Sequence, residues 1–311
     1  MKYSIVFPGQ GSQSLGMLDD LNKNFPVVNE IFQEASDAVG VDLWKIVNEN
    51  QEALNLTENT QPVMLAAGYA TYKILSEEIN LSPLSFAGHS LGEYTTLVAV
   101  NSLNFFDAIK LVKKRGQLMQ SAVPNGSGSM AAILGLEDSL IIEKCNQASK
   151  KGVVEAVNFN SPGQVVIAGE KEAVAYACEL LKDAGAKRAL VLPVSVPSHC
   201  SLMKDAANEF KNSVDSIEFR MNDVKVIHNV DADYSNTVEE IKSKLVEQLY
   251  RPVLWTSSVL KMKELGVEKL IEAGPGKVLS GLTRRIDKSL TASAIIDVNS
   301  LKSTIEDISN A

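Results

Sequence analysis

The chain predicts an α/β fold in two parts, a large domain with a parallel-sheet core and a small βαββαβ domain inserted into it. Three observations carry that prediction. Short apolar runs alternate with helix-period segments from end to end, without internal repeats or low-complexity tracts. One run is followed at once by Gly88-His89-Ser90-Leu91-Gly92, a pattern suited to a sharp strand-to-helix turn. The stretch Pro124-Asn125-Gly126-Ser127-Gly128-Ser129 is strongly loop-forming and opens a segment with its own rhythm. The expected boundaries are 1–124 with 197–311 for the large domain and 125–196 for the small one.

Residues 3–7 and 84–87 read as buried strands, and 27–39, 61–79 and 107–122 as helices. A further helix is expected to start near Leu91, since the residues after Gly92 contain no breaker. In the insert, 130–134 is a strand, 137–149 a helix, 153–158 a strand, Ser161-Pro162-Gly163 a turn, 164–168 a strand, 171–184 a helix and 187–194 a strand. That order is the pattern of a ferredoxin-like unit. After Pro197 follow a strand at 224–228, helices at 238–249 and 255–265, and a strand at 269–272. Gly274-Pro275-Gly276 then leads into a short basic helix.

With 311 residues and 45% hydrophobic content the chain can bury a large core. A net charge of −8 without a compensating basic block argues against a nucleic-acid binder. No apolar stretch approaches the ~20 residues a membrane span needs. The start, Met1-Lys2-Tyr3-Ser4-Ile5-Val6-Phe7, runs straight into a strand and lacks a secretion signal, so a cytoplasmic protein is expected. Cys145, Cys178 and Cys200 are few and scattered, which indicates neither a disulfide framework nor a metal site. Cys200 beside His199 invites a thiol-nucleophile reading, but neighbours on an extended segment point apart.

Three fixed positions such as Gly-x-Ser-x-Gly arise by accident in about one chain in ten of this size, so context decides. Here an apolar strand precedes and a helix follows, the arrangement of an α/β-hydrolase-like nucleophile turn, with helix N–H groups near the reacting carbonyl. The structural alternative is a tight turn packed for its own sake. Ser90 needs a base. His89 is its neighbour and in a nucleophile turn should face away from the hydroxyl, and His228 ends an apolar strand, where a hydrogen-bonded interior imidazole is expected. His199, in the Pro-kinked loop Ser195-Val196-Pro197-Ser198-His199, is the remaining candidate, weighed against an imidazole that merely anchors the loop. No carboxylate stands out as third member, so the sequence permits a histidine oriented by a neutral carbonyl.

In the helix at 107–122, Ala108, Leu111, Val112, Leu118, Met119 and Ala122 form one apolar stripe, with Lys110, Lys113, Lys114 and Gln117 opposite. Arg115 falls inside the stripe and should point inward. A buried guanidinium needs an anion, and its fork fits a carboxylate. An internal Arg–carboxylate pair and an acid-bearing substrate stand level on these residues alone.

Six motifs then occur in one order: Phe7-Pro8-Gly9-Gln10-Gly11-Ser12-Gln13, Gly88-His89-Ser90-Leu91-Gly92-Glu93, Arg115-Gly116, Asn158-Phe159-Asn160-Ser161-Pro162-Gly163-Gln164, Pro197-Ser198-His199 and Glu272-Ala273-Gly274-Pro275-Gly276. Together they closely resemble the malonyl-CoA:acyl carrier protein transacylases, over nearly the whole chain. The resemblance implies Ser90 as nucleophile and His199 as base. It implies the backbone N–H groups of Gln10 and Leu91 as oxyanion hole, Arg115 as clamp on the malonyl carboxylate, and a carbonyl of Gln248 orienting the histidine. Asn160, Ser198 and His89 are implied beside the substrate. No metal or other cofactor is implied. The implied partners are malonyl-CoA and acyl carrier protein, and a monomer is expected.

A carbonyl-oriented His199 should be a weaker base than one backed by a carboxylate, with slow hydrolysis of the acyl-enzyme as the consequence and Gln248→Glu as its test. Since carrier proteins of this pathway are acidic and this chain is negative, docking needs a local positive patch. Lys277, Arg284, Arg285 and Lys288, with Lys187 and Arg188, are the candidates, against the alternative of a solvated helix face. A serine hydrolase or thioesterase, a polyketide-type acyltransferase using another acyl-CoA, and a non-catalytic docking domain are the other readings. Intact Ser90, His199, Gln10 and Arg115 speak against the last.

Overall fold

The computed structural model describes residues 1–194 and 196–310. Ser195, which opens the predicted loop to His199, lies outside the described residues.

The chain opens with β1 (Tyr3–Phe7) and passes through α1 (Asp19–Asn24), α2 (Val27–Val39), α3 (Leu43–Glu49), α4 (Gln51–Asn55) and α5 (Thr57–Glu78). Then come β2 (Ser85–Gly88), α6 (Gly92–Ala99) and α7 (Phe105–Ser121). A second unit follows as β3 (Gly128–Leu134), α8 (Asp138–Ala148), β4 (Val154–Ser161), β5 (Gln164–Glu170), α9 (Lys171–Asp183) and β6 (Arg188–Val191). The chain returns through α10 (Lys204–Asp215), β7 (Val226–Ile227), α11 (Val238–Glu247), α12 (Trp255–Glu264), β8 (Lys269–Ala273), α13 (Val278–Ile286), β9 (Thr291–Ile295) and α14 (Val298–Ser309). Among the described residues no helix is long and apolar enough to cross a membrane.

The first sheet has the order β7-β2-β1-β8-β9, and every pair in it is parallel. β1, β2, β7 and β8 are buried along their whole length, as strands covered on both faces are, whereas the edge strand β9 is largely half-exposed. Alternate residues of β1 and β2 face opposite ways, Ile5, Phe7 and Phe86 into one cluster and Val6 and Ala87 into the other. In parallel strands all carboxyl ends lie at one edge of the sheet, where α/β proteins place their ligands. Phe7 pairs with Gly88, so the segments leaving β1 toward Gln10 and β2 toward Ser90 emerge side by side.

The second sheet is antiparallel, in the order β4-β5-β3-β6. Its αβ sequence is the predicted βαββαβ. One face packs on α8 and α9 through Ile133, Val165, Ile167, Ile141, Ala177 and Leu181. The other face carries Met130, Val166 and Ala168 against Cys200. Edge strand β4 is tied to the rest of the chain by Phe159 N–H to Val253 O (3.0 Å) and Val253 N–H to Val157 O (2.8 Å), which satisfies part of an otherwise open edge.

Most predicted elements are found within a few residues of their expected limits. Two strands are shorter: 187–194 contracts to Arg188–Val191 and 224–228 to Val226–Ile227. Pro193 cannot donate to a sheet ladder, which limits the first.

Candidate active site

The nucleophile turn follows from two close approaches. A Cβ on Gly88 would lie 1.9 Å from the Gly92 carbonyl carbon, and one on Gly92 would lie 2.2 Å from Phe7 O. Only glycine lets β2 fold back onto α6 and α6 rest on the end of β1. Between them Ser90 is held at φ 51°, in the left-handed region, a strain of about 1–3 kcal/mol for a residue with a side chain.

Ser90 Oγ lies 2.8 Å from His199 Nε2. His199 is also left-handed, with φ 67°, and is held by the two carbonyls that follow the end of α11. Its backbone N–H donates to Leu249 O at 2.9 Å and its Nδ1 to the main-chain oxygen of Gln248 at 2.6 Å. A carbonyl can only accept, so Nδ1 carries the proton and Nε2 presents its lone pair to the serine. Gln248 is the C-cap of α11, so this oxygen bears the partial negative charge of a helix C-terminus. Burial first, and then the charge of Arg115, hold the His199 imidazole down to about 3, against the opposing pull of the Gln248 carbonyl. It is neutral at physiological pH.

Arg115 points inward from α7 and is 1% exposed. Nη1 donates to Gln61 Oε1 and Nη2 to Gln248 Oε1, each at 2.9 Å, with Nη2 3.4 Å from Ser90 Oγ. Its Nε has no partner among the described residues. Among the described residues the internal Arg–carboxylate pair weighed from the sequence is not found: the contacts are two amide oxygens and the serine hydroxyl, and burial lowers the guanidinium pKa. The nearest counter-charge in the network is Glu93, one amide away, where Gln248 Nε2 donates to Glu93 Oε2 at 2.8 Å.

These groups meet in a cleft of about 400 Å³ between the carboxyl edge of the parallel sheet and β3, lined among others by Gln10, Ser90, Leu91, Arg115, Ser198 and His199. The backbone N–H groups of Gln10 and Leu91 donate to no group among the described residues. His89 also lines the cleft, but its Nε2 is bound to Asn160 Oδ1 at 2.8 Å. Asn160 and Gln248 do not line it. Asn160 acts on His89, and Gln248 supports Arg115 with its side chain and His199 with its main chain. His228 has the interior place expected of it, with Nδ1 2.7 Å from Glu93 Oε1. Sequence reasoning did not single out Gln61, Glu93 as a buried acceptor, or Asn229, whose amide bonds both Ser90 N–H and Gly88 O at 2.7 Å.

Residues 4–306 match the family model described as acyl transferase domain. The malonyl CoA-acyl carrier protein transacylase of Haemophilus influenzae is 53% identical, over 98% of this chain and 98% of that one. The chain belongs to the malonyl CoA-acyl carrier protein transacylases. The Escherichia coli K12 transacylase is 50% identical over 98% of this chain and 99% of its own. Among solved structures, an acyl carrier protein S-malonyltransferase from Vibrio cholerae superposes with a TM-score of 0.95 at 53% identity, covering 98% of this chain and 100% of the other. A malonyl-transacylase in complex with a type II PKS acyl-carrier protein gives a TM-score of 0.97 at 50% identity, covering 99% and 100%. The transacylase family accordingly has the α/β architecture described above, one parallel and one antiparallel sheet.

Proposed function

We propose that this chain moves the malonyl group of malonyl-CoA to the pantetheine thiol of acyl carrier protein, through a malonyl ester on Ser90. One observation carries the choice of acyl group: a buried guanidinium, with no carboxylate partner among the described residues, has its Nη2 3.4 Å from the nucleophile. An acetyl or longer apolar acyl chain offers nothing to that charge, whereas a malonyl carboxylate gives it two parallel hydrogen bonds.

In the first half-reaction Ser90 Oγ attacks the thioester carbonyl while His199 Nε2 takes the hydroxyl proton. The C–S bond breaks, and His199 returns the proton to the departing CoA thiolate. In the second, His199 Nε2 takes the proton of the pantetheine thiol, the sulfur attacks the ester carbonyl, the bond between that carbon and Ser90 Oγ breaks, and the proton goes back to Ser90 Oγ. The unengaged N–H groups of Gln10 and Leu91 serve as oxyanion hole in both. The Gln248 carbonyl at the C-terminus of α11 takes the place of a triad carboxylate, stabilising the transient imidazolium with a partial charge.

The large part, 1–124 with 197–311, is proposed as an α/β-hydrolase-like domain, on the strength of its strand-turn-helix nucleophile. Residues 125–196 are proposed as a ferredoxin-like domain, supported by the βαββαβ order and by a core of their own. Three free, buried cysteines suit a reducing, cytoplasmic compartment. A second reading, malonyl loading of a polyketide carrier by the same steps, is favoured by the relative seen with a type II PKS carrier. Comparing turnover with the two carrier types decides between them.

The function is tested by intact-mass measurement after mixing with malonyl-CoA, methylmalonyl-CoA and acetyl-CoA in turn. Wild type forms a malonyl adduct that acyl carrier protein discharges, Ser90→Ala forms none, and acetyl transfer is poor. Rapid release of free malonate without transfer would instead mark a hydrolase.

A further inference from the structure

Resting on the transacylase reading, we propose that Asn229 is a positioning residue that clamps the strained turn presenting Ser90. Asn229 is fully buried and does not line the cleft. Its Oδ1 accepts the Ser90 N–H and its Nδ2 donates to the Gly88 carbonyl, both at 2.7 Å. One side chain therefore spans the turn from the last residue of β2 to the nucleophile. The backbone partners fix which end of the amide is which, since an N–H can only donate and a C=O only accept.

The clamp has two consequences at the reacting atoms. It holds Ser90 in the left-handed conformation that aims Oγ at His199 Nε2. It also engages the Ser90 N–H, so the neighbouring Leu91 N–H is the one left free at the cleft. An aspartate could accept but not donate, and a serine hydroxyl is too short to make both bonds.

Asn229 is itself fixed to the same helix that follows the nucleophile. Its backbone N–H donates to Glu93 Oε2 at 3.0 Å, and the other oxygen of Glu93 is bound by His228 Nδ1. Glu93 Oε2 further accepts from Gln248 Nε2. One buried carboxylate thus sets the clamp and directly contacts Gln248, the residue that holds His199 and Arg115.

The test uses the full chain with Asn229→Ala and Asn229→Ser, folding being checked by thermal melting and circular dichroism. A displacement of the nucleophile by even 1 Å should lower kcat for malonyl transfer about 10²-fold in Asn229→Ala. Because Arg115 is untouched, KM for malonyl-CoA should stay within about twofold. Reaction of Ser90 with a small sulfonyl fluoride, which needs neither carboxylate nor CoA, should slow in parallel. Asn229→Ser, able to keep one bond, should fall between, and it carries the test if the alanine variant does not fold. Wild-type kcat and sulfonyl fluoride rate in a folded variant overturn the clamp, as does a change confined to KM; a merely structural role would lower the melting temperature and leave both rates alone. If wild type itself forms no malonyl-enzyme, the functional reading fails, while the sulfonyl fluoride comparison still decides the clamp.

Discussion

Replacing Arg115 with alanine separates a carboxylate clamp from a structural cation, because the two readings predict different substrate dependence. A malonyl carboxylate on the guanidinium fork gains two charge-assisted hydrogen bonds of about 1.5–3 kcal/mol each. Their loss lowers kcat/KM for malonyl-CoA by on the order of 10²–10⁴. Acetyl-CoA has no carboxylate to lose, so its slow turnover stays within about threefold. The same change strands Gln61 Oε1 and Gln248 Oε1, now without their donors. A buried acceptor left alone costs about 1–3 kcal/mol, partly offset by releasing a desolvated charge, so a lower melting temperature is expected as well. Arg115 is also the second cause of the low His199 pKa, after burial; its removal moves the acid limb of kcat/KM upward. The assay is kcat/KM for both thioesters across pH on the folded variant. Equal losses with malonyl-CoA and acetyl-CoA would refute the clamp.

Wild-type kcat/KM should keep its activity well below the ordinary imidazole value of 6.5, since His199 is held down to about 3; an acid limb at the ordinary value would contradict that. The unfolded chain binds the His199 proton first, so stability is full above 6.5 and falls as pH drops toward 3. Denaturant midpoints at about pH 7 and about pH 5 should therefore diverge more for wild type than for His199→Gln. Gln248→Glu, conceived from the sequence as a way to back His199 with a carboxylate, acts elsewhere in the folded protein: the imidazole is held by the main chain and the side chain faces Arg115. A glutamate there competes with the substrate anion, so KM for malonyl-CoA should rise about tenfold while malonyl-enzyme lifetime barely changes; a shortened lifetime at unchanged KM would reverse that assignment. Charge reversal at Arg284 and Arg285 should raise KM for the acidic carrier and spare KM for malonyl-CoA, with no change in either removing the docking patch. Arg285 also donates to Gln164 at 3.0 Å, so a melting curve accompanies that measurement.

Ser90, His199 and Arg115 were legible because each breaks a local pattern. A serine sits between turn glycines, a histidine on a Pro-kinked loop, and a guanidinium in an apolar stripe. Glu93 and Asn229 break none. In sequence the carboxylate three residues after the nucleophile reads as the ordinary polar face of a surface helix, yet α6 is buried on every side. Asn229 stands 139 residues from its partner Ser90, and pairing at that separation leaves no mark on local sequence. The strand order β7-β2-β1-β8-β9 was hidden for the same reason. The small βαββαβ unit, by contrast, has its helices and strands close together in sequence, and their order was legible although the last strand is shorter than expected. α14 carried a signal that reading passed over: Asp297 and Ser300 form a reciprocal cap at its start.

The most direct test of the account is to quench the enzyme with malonyl-CoA, locate the acyl group by peptide mapping, and then add the carrier protein. The account predicts one malonyl ester, on Ser90, that disappears as malonyl appears on the pantetheine thiol. Malonyl transfer by Ser90→Ala, or an ester on any other residue, would contradict it.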